Sequence, residues 1–336
     1  MLNKFEKYTK ILRKFIKNKS PKKKFMDVKQ IINYISHEEW PSILRIQTTL
    51  LKSMRDFMIK KGFLELMPVI TSKFTDPLGP DPDSSVVKTP AIEYYGQKLV
   101  LTQSMILHKQ LAILAFPKIF IFSPNVRLER KSRKKTGKHL FEFTQMDFEM
   151  AYAKMEDIFK LVEGLVVYTI KRVKKERRED LKVLGRKLKV PSKPFKKYTS
   201  HELEEKYGRK WELNASKDHK EPFWVICHKR EFYDKENPEK PGHFLNYDLI
   251  WPEGFGEALS GGEREYEYLK IVRKIKKDGL PCKRYKEYLR IVKFGILKPS
   301  AGAGIGVERF LRFLSGKKHI GDVQLFRRVP GEKVII

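Results

Sequence analysis

Leu2, Phe5, Tyr8, Ile11, Leu12, Phe15 and Ile16 recur at three- and four-residue spacing, which predicts an amphipathic helix that ends by Pro21. A longer helix is predicted over 41–61, stopped by Gly62, and a short strand over 63–70. Pro68 interrupts that strand and confines it to an edge or an interface. Residues 75–90 are rich in Pro, Gly, Asp and Ser and form a loop of the length used for lids and binding segments. A strand over 99–102, a helix over 104–116 closed by Pro117, and a strand over 119–123 follow. Residues 155–178 read as a helix, and 283–293 as another with Tyr285, Tyr288 and Leu289 turned inward. Residues 247–260 and 290–307 are apolar and carry glycines.

A chain of 336 residues holds one large domain or two modest ones. Its 41% hydrophobic and 12% aromatic content excludes a disordered chain, and no apolar run approaches the length of a membrane span. With 71 Lys plus Arg against 41 Asp plus Glu, the net charge of +30 predicts attraction to polyanions. Lys4, Glu6, Lys7, Lys10, Arg13 and Lys14 break up any apolar leader, and Cys227 and Cys282 have no disulfide or zinc spacing. A soluble, cytoplasmic protein without membrane partners is expected. The basic stretch 171–189 and its polar continuation to about 215 read as an insertion, with a solvated face favoured over a nucleic-acid contact. Residues 1–40 form a helix and linker, and 41–336 the main domain.

Residues 124–151 read as two strands flanking a basic loop at 131–138. A period of two places Asn125, Arg127 and Glu129 on one face of the first strand and Phe143, Gln145, Asp147 and Glu149 on one face of the second. Charges and an aromatic therefore line one wall. Near the C-terminal end, the segment from Ala301 to Arg309 precedes a helix built from Phe310, Leu311, Phe313 and Leu314. Val307 stands where a dinucleotide fingerprint needs its third glycine, which argues against that reading. The alternate glycines Gly302, Gly304 and Gly306 let something approach the strand closely.

Three ordered elements, a helix and strand ending at Pro68, the hairpin with Arg127-x-Glu129 and Phe143, and Gly304-x-Gly306-x-Glu308-Arg309, resemble the three motifs of class II aminoacyl-tRNA synthetases. Phe143-Thr144-Gln145-Met146-Asp147 and Glu257-x-x-Ser260-Gly261-Gly262-x-Arg264 resemble the aspartyl and asparaginyl branch in particular. The resemblance implies an α+β fold, a mostly antiparallel sheet flanked by helices, and a homodimer built on the first motif. It also implies adenylation of a carboxylate by ATP with Mg²⁺. In that reaction Arg127 meets the α-phosphate and Arg309 the terminal phosphate, Phe143 stacks under adenine with Arg309 above, and Glu129 and His139 contact the base and the bent triphosphate. Asp248, Glu257 and Ser260 would hold Mg²⁺.

Lys109, in Gln103-Ser104-Met105-Ile106-Leu107-His108-Lys109-Gln110, matches the lysine of aspartate-type sites, where it joins Arg264 around the substrate's second carboxylate. Two cations around one small pocket demand an anion. The substrate set implied is Ser104, Lys109, Gln145, Asp147 and Arg264, with Asp83 from the acidic lid. Only about 40 residues precede the first motif, with no anticodon-reading five-stranded barrel among them, so the resemblance narrows to catalytic-core paralogues of the archaeal asparagine synthetase A type. The activity then expected is an aspartate–ammonia ligase: ATP activates the β-carboxylate of L-aspartate and ammonia captures the adenylate, giving asparagine, AMP and pyrophosphate. Lys109 and Arg264 would then grip the α-carboxylate. Asp83, Asp147 and Glu263 are the candidates for the base that deprotonates ammonium. The alternative is an aspartyl-tRNA synthetase-like enzyme acting on tRNA, which the basic charge favours; a non-enzymatic RNA-binding paralogue is disfavoured by retention of Arg127, Glu257 and Arg309.

Overall fold

The computed structural model describes residues 26–76, 86–228 and 231–334. The predicted N-terminal helix and Asp83 lie outside them. Helix α1 (Met26–Ile35) leads into α2 (Trp40–Lys60), which has a proline in its first turn and Gly62 at φ +79° just beyond its end. Ile43, Ile46, Leu50, Met54 and Phe57 line its buried face at helical spacing. Of the strand expected over 63–70, only β1 (Leu64–Glu65) pairs, in parallel with β5 (Lys118–Val126) at the sheet edge, as Pro68 requires.

The main sheet has eight strands. In order they are β1, β5, β6 (Glu142–Ala151), β11 (Ser300–Gly306), β10 (Gly256–Glu263), β9 (Asn246–Trp251), β8 (Phe223–Ile226) and β7 (Lys196–Thr199). All neighbours are antiparallel except the two terminal pairs. A small second sheet pairs β4 (Gln97–Leu101) with β2 (Thr71–Ser72) and β3 (Ala91–Tyr94). Helix α3 (Ile106–Ala112) is shorter than the 104–116 expected.

The two faces of the sheet have opposite characters, and the strand period of two creates them. Phe120, Met146, Phe148, Leu259, Ala303 and Ile305 turn to one side and share the main core with α2, α4 (Met155–Glu176) and α10 (Val307–Ser315). Burying each such large side chain contributes about 2 kcal/mol. The intervening residues turn to the other side, where Gln145, Asp147 and Ser260 floor a cavity.

Two satellite clusters wall that cavity. One joins Ile106 and Leu107 of α3 to α8 (Tyr268–Lys277) and α9 (Lys286–Val292), where Tyr285, Tyr288 and Leu289 are buried as the spacing predicts. The other belongs to the expected insertion. After α4 and the short α5 (Arg178–Val183), strand β7 extends the main sheet, and α6 (Ser200–Tyr207) and α7 (Trp211–Asp218) pack Leu203 and Ala215 on Phe223, Val225 and Ile250. The expected insertion thus contributes a strand to the main sheet and buried side chains of its own.

Candidate active site

The cavity measures about 830 Å³. Strand β6 presents Phe143, Gln145 and Asp147 to it from the face predicted by alternation, and the segment just beyond β5 adds Arg127 and Glu129. Residues Ser104, Lys109, His139, Glu257, Ser260, Arg264 and Arg309 join them, so among the described residues all the expected site residues except Asp248 line one space. Asp248 stands directly opposite Ser260 in the β9–β10 register, on the same face, but His228 Nε2 covers it at 3.4 Å.

At the nucleotide end the guanidinium of Arg127 lies over the Phe143 ring at 5.1 Å, and its Nε donates to the Gln103 carbonyl at 3.0 Å. Arg309 Nη1 is 2.7 Å from Glu257 Oε1, and its Nε donates to the Lys138 carbonyl at 3.3 Å. Burial works against the Arg309 charge, and the Glu257 and Glu212 carboxylates outweigh it, holding its pKa above the ordinary value. His139 is pushed down to about 2 by burial and then by Arg309, Lys138 and Arg133, so it is neutral at physiological pH. Burial raises Glu129 against the pull of Arg127, Arg133 and Arg309. Glu308 accepts the Thr144 main-chain N–H with both oxygens at 3.0 Å, and burial pushes it up to about 7.

At the other end Lys109, 1% exposed, donates to Asp147 Oδ1 at 2.9 Å and to the carbonyls of Phe148 and Ala303, with Glu149 Oε2 at 3.7 Å. Arg264 reaches Glu149 Oε1 at 3.1 Å, Asp234 Oδ1 at 3.4 Å and the Gly302 carbonyl at 2.9 Å. The premise that these cations await a substrate anion is therefore corrected: three protein carboxylates already compensate them. The glycines explain how. Gly302 and Gly304 face Glu149 and Asp147 across the β6–β11 register, and a Cβ would lie 2.1 Å from Glu149 Oε2 or 2.7 Å from Gln145 Nε2. What approaches this strand closely is the site's own acid and amide side chains.

Glu263 is also corrected. It pairs with Ala301 on the core side of the sheet, and its carboxylate accepts the Met155 N–H at 3.1 Å, at the start of α4. It does not line the cavity and is no base there. Asp76, Tyr233 and Asp234 line the cavity near Lys109 and Arg264 without having been singled out in the sequence; Tyr233 donates to Asp76 Oδ2 at 3.2 Å. Asp234 and Tyr233 lie in a turn before β9 with no periodic signal, so nothing local marks them. At the cavity wall Cys227 Sγ meets His243 Nδ1 at 2.9 Å, with the thiol raised by burial.

Mg²⁺ prefers hard oxygen donors, and Glu257 and Ser260 on β10 with Asp248 on β9 form such a set. One or two carboxylates plus substrate phosphates suffice for this ion, so the residues present fit it even though no group of three or more His, Cys, Asp or Glu suited to a metal occurs among the described residues. Also among the described residues, no helix is long and apolar enough to cross a membrane.

Comparison with known proteins agrees with this geometry. The chain is 31% identical over 308 residues to the asparagine–tRNA ligase of Pyrococcus abyssi, covering 86% of this chain and 68% of that protein. The asparagine–tRNA ligase of Koribacter versatilis is 29% identical over 322 residues, covering 88% and 70%. The crystal structure of the Pyrococcus horikoshii asparaginyl-tRNA synthetase complexed with asparaginyl-adenylate superposes with a TM-score of 0.81 at 26% identity, covering 93% of this chain and 74% of that one. The fold is also shared with an aspartyl-tRNA synthetase from Entamoeba histolytica, at a TM-score of 0.73 and 23% identity. These relatives bear the name of tRNA ligases, not of asparagine synthetases. Residues 23–330 match the family described as tRNA synthetases class II (D, K and N), and the chain belongs to that family.

Proposed function

We propose that this chain is an AMP-forming ligase that activates L-aspartate as an acyl adenylate and passes the acyl group to tRNA. The observation that carries the reading is the convergence, in one cavity, of Arg127 and Arg309 at one end and Lys109 and Arg264 at the other. A carboxylate oxygen of the amino acid attacks the α-phosphorus, the bond to pyrophosphate breaks, and negative charge grows on the phosphoryl oxygens. Arg127, held by the Gln103 carbonyl and the Phe143 ring, is aimed where that charge develops. Arg309 serves the departing phosphates, and Phe143 offers a face for adenine. Bound at Glu257, Ser260 and Asp248, Mg²⁺ would neutralise phosphate charge.

The aspartate assignment rests on Lys109, which matches the lysine of aspartate-type sites, and not on uncompensated charge, because Asp147, Glu149 and Asp234 already pair with Lys109 and Arg264. The tRNA-ligase relatives support tRNA as the acceptor and move the reading away from ammonia. One feature favours ammonia as a second reading. At the amino-acid end Asp76, Asp147, Glu149 and Asp234 outnumber Lys109 and Arg264, an environment suited to an ammonium, whether the substrate's own or free.

The test is pyrophosphate exchange into ATP with aspartate or asparagine, followed by product analysis with tRNA or ammonium added. Aspartate-dependent exchange with aspartyl-tRNA as product supports the proposal; free asparagine formed only with ammonium replaces its acceptor. Exchange with asparagine alone overturns the substrate assignment.

A further inference from the structure

Helix α7 belongs to the stretch that the sequence presents as an insertion, yet its first turn reaches the nucleotide end of the cavity. Glu212 Oε1 accepts the Glu257 main-chain N–H at 3.0 Å and pairs with the Lys138 ammonium. Gly256, at φ +71°, permits the approach, because a Cβ there would lie 2.6 Å from Glu212 Oε1. One carboxylate thus ties together α7, the loop that carries Lys138 and His139, and the start of β10. Those segments hold Arg309, through Glu257 Oε1 and the Lys138 carbonyl. The adjacent Trp211 stacks on His228 at 5.9 Å, and His228 in turn covers Asp248. Consecutive residues of α7 therefore brace both acids assigned to the metal end.

We propose that Glu212 is a positioning residue of the nucleotide end, fixing Glu257 and Lys138 so that Arg309 is aimed before ATP arrives. The inference rests on the adenylation reading. Its physical basis is preorganisation: without Glu212 the Glu257 N–H loses its acceptor, the Lys138 side chain is released, and both contacts that set the Arg309 orientation loosen. A charge argument alone predicts the reverse. If Glu212 merely neutralised neighbouring cations, its removal would leave the site more positive and tighten ATP binding.

The experiment is calorimetric ATP titration together with pyrophosphate exchange for the unmodified protein, Glu212→Gln and Glu212→Ala, with melting temperatures measured alongside. Glu212→Ala is expected to weaken ATP about tenfold, the effect of one charge-assisted contact network, while the KM for the amino acid stays within about twofold. Glu212→Gln keeps an acceptor for the Glu257 N–H and should fall between the two. Should Glu212→Ala melt early, Glu212→Gln carries the test, with weakened ATP and an unchanged amino-acid KM. An unmodified protein that fails to bind ATP overturns the adenylation reading and this proposal with it. ATP bound normally by the unmodified protein and equally or more tightly by the variants overturns the proposal alone.

Discussion

Gly304 stands directly opposite Asp147 across the β6–β11 register, and a Cβ at position 304 would lie 2.9 Å from Asp147 Oδ1 and 2.7 Å from Gln145 Nε2. The missing side chain is the space that lets these two groups sit at the cavity wall. Gly304→Ala is expected to push them off their positions, cost about 1–3 kcal/mol through overpacking, and lower kcat/KM for the amino acid by about a hundredfold. Denaturant melts and pyrophosphate exchange check this; a variant as active as the parent would mean that the site tolerates a displaced Asp147.

Lys109 separates structural from functional roles. Lys109→Met leaves Asp147 and Glu149 buried without their ammonium and should cost about 3–5 kcal/mol. Adding Asp147→Asn removes one orphaned charge and should restore part of that stability. Aspartate-dependent exchange should remain lost in the double variant if Lys109 also contacts the substrate. Recovery of stability and exchange together would confine Lys109 to holding the fold.

The carboxyl of Glu308 gives the site a pH-dependent stability. Burial raises it from an ordinary value near 4.5 to about 7, so the folded state binds the proton more tightly than the unfolded chain does. Its stabilising contribution is complete below about 4.5 and is lost as pH rises through about 7. Glu308→Gln keeps an acceptor for the Thr144 N–H and removes the ionisation. Relative to the parent it should gain on the order of 2 kcal/mol between pH 5 and pH 8, a figure reduced for partial exposure. A stability difference that stays constant across that range would exclude Glu308 as the titrating group.

Much of the site was legible in the sequence because strand alternation is a rigid rule. It assigned Asn125, Arg127, Glu129, Phe143, Gln145, Asp147 and Glu149 to one wall; Asn125 and Glu149 are buried beneath the cavity without lining it, and the other five line it. The same rule separates Arg264 from Glu263, since adjacent strand residues face opposite ways; only Arg264 can reach the cavity. The partners of Lys109 were not legible, because Asp147 comes within 2.9 Å only after β6 pairs with β11 and leaves room opposite its glycines. The role of α7 was hidden for a similar reason. Glu212 and Glu257 are far apart in the chain, and a polar, basic composition looks the same whether a segment floats in solvent or bridges to a site. Lid residues such as Asp83 lie outside the described structure.

The homodimer that the resemblance implies can be tested at exposed apolar residues on the surface. Ile59 near the end of α2, Leu64 on the edge strand β1, and Met67 and Ile70 in the segment after it are 54%, 54%, 88% and 51% exposed. Large apolar side chains this open to water among the described residues, near a strand at the edge of the described sheet, favour a covering partner. A second copy of the chain would supply the same surface across a two-fold axis. Met67→Asp places a charge at the most exposed position and should convert the assembly to monomers without lowering the melting temperature of the isolated fold by more than about 0.5 kcal/mol equivalent. Sedimentation equilibrium measures this directly. A parent protein that sediments as a monomer at micromolar concentration would refute the dimer, and a variant that remains dimeric would move the interface to another face.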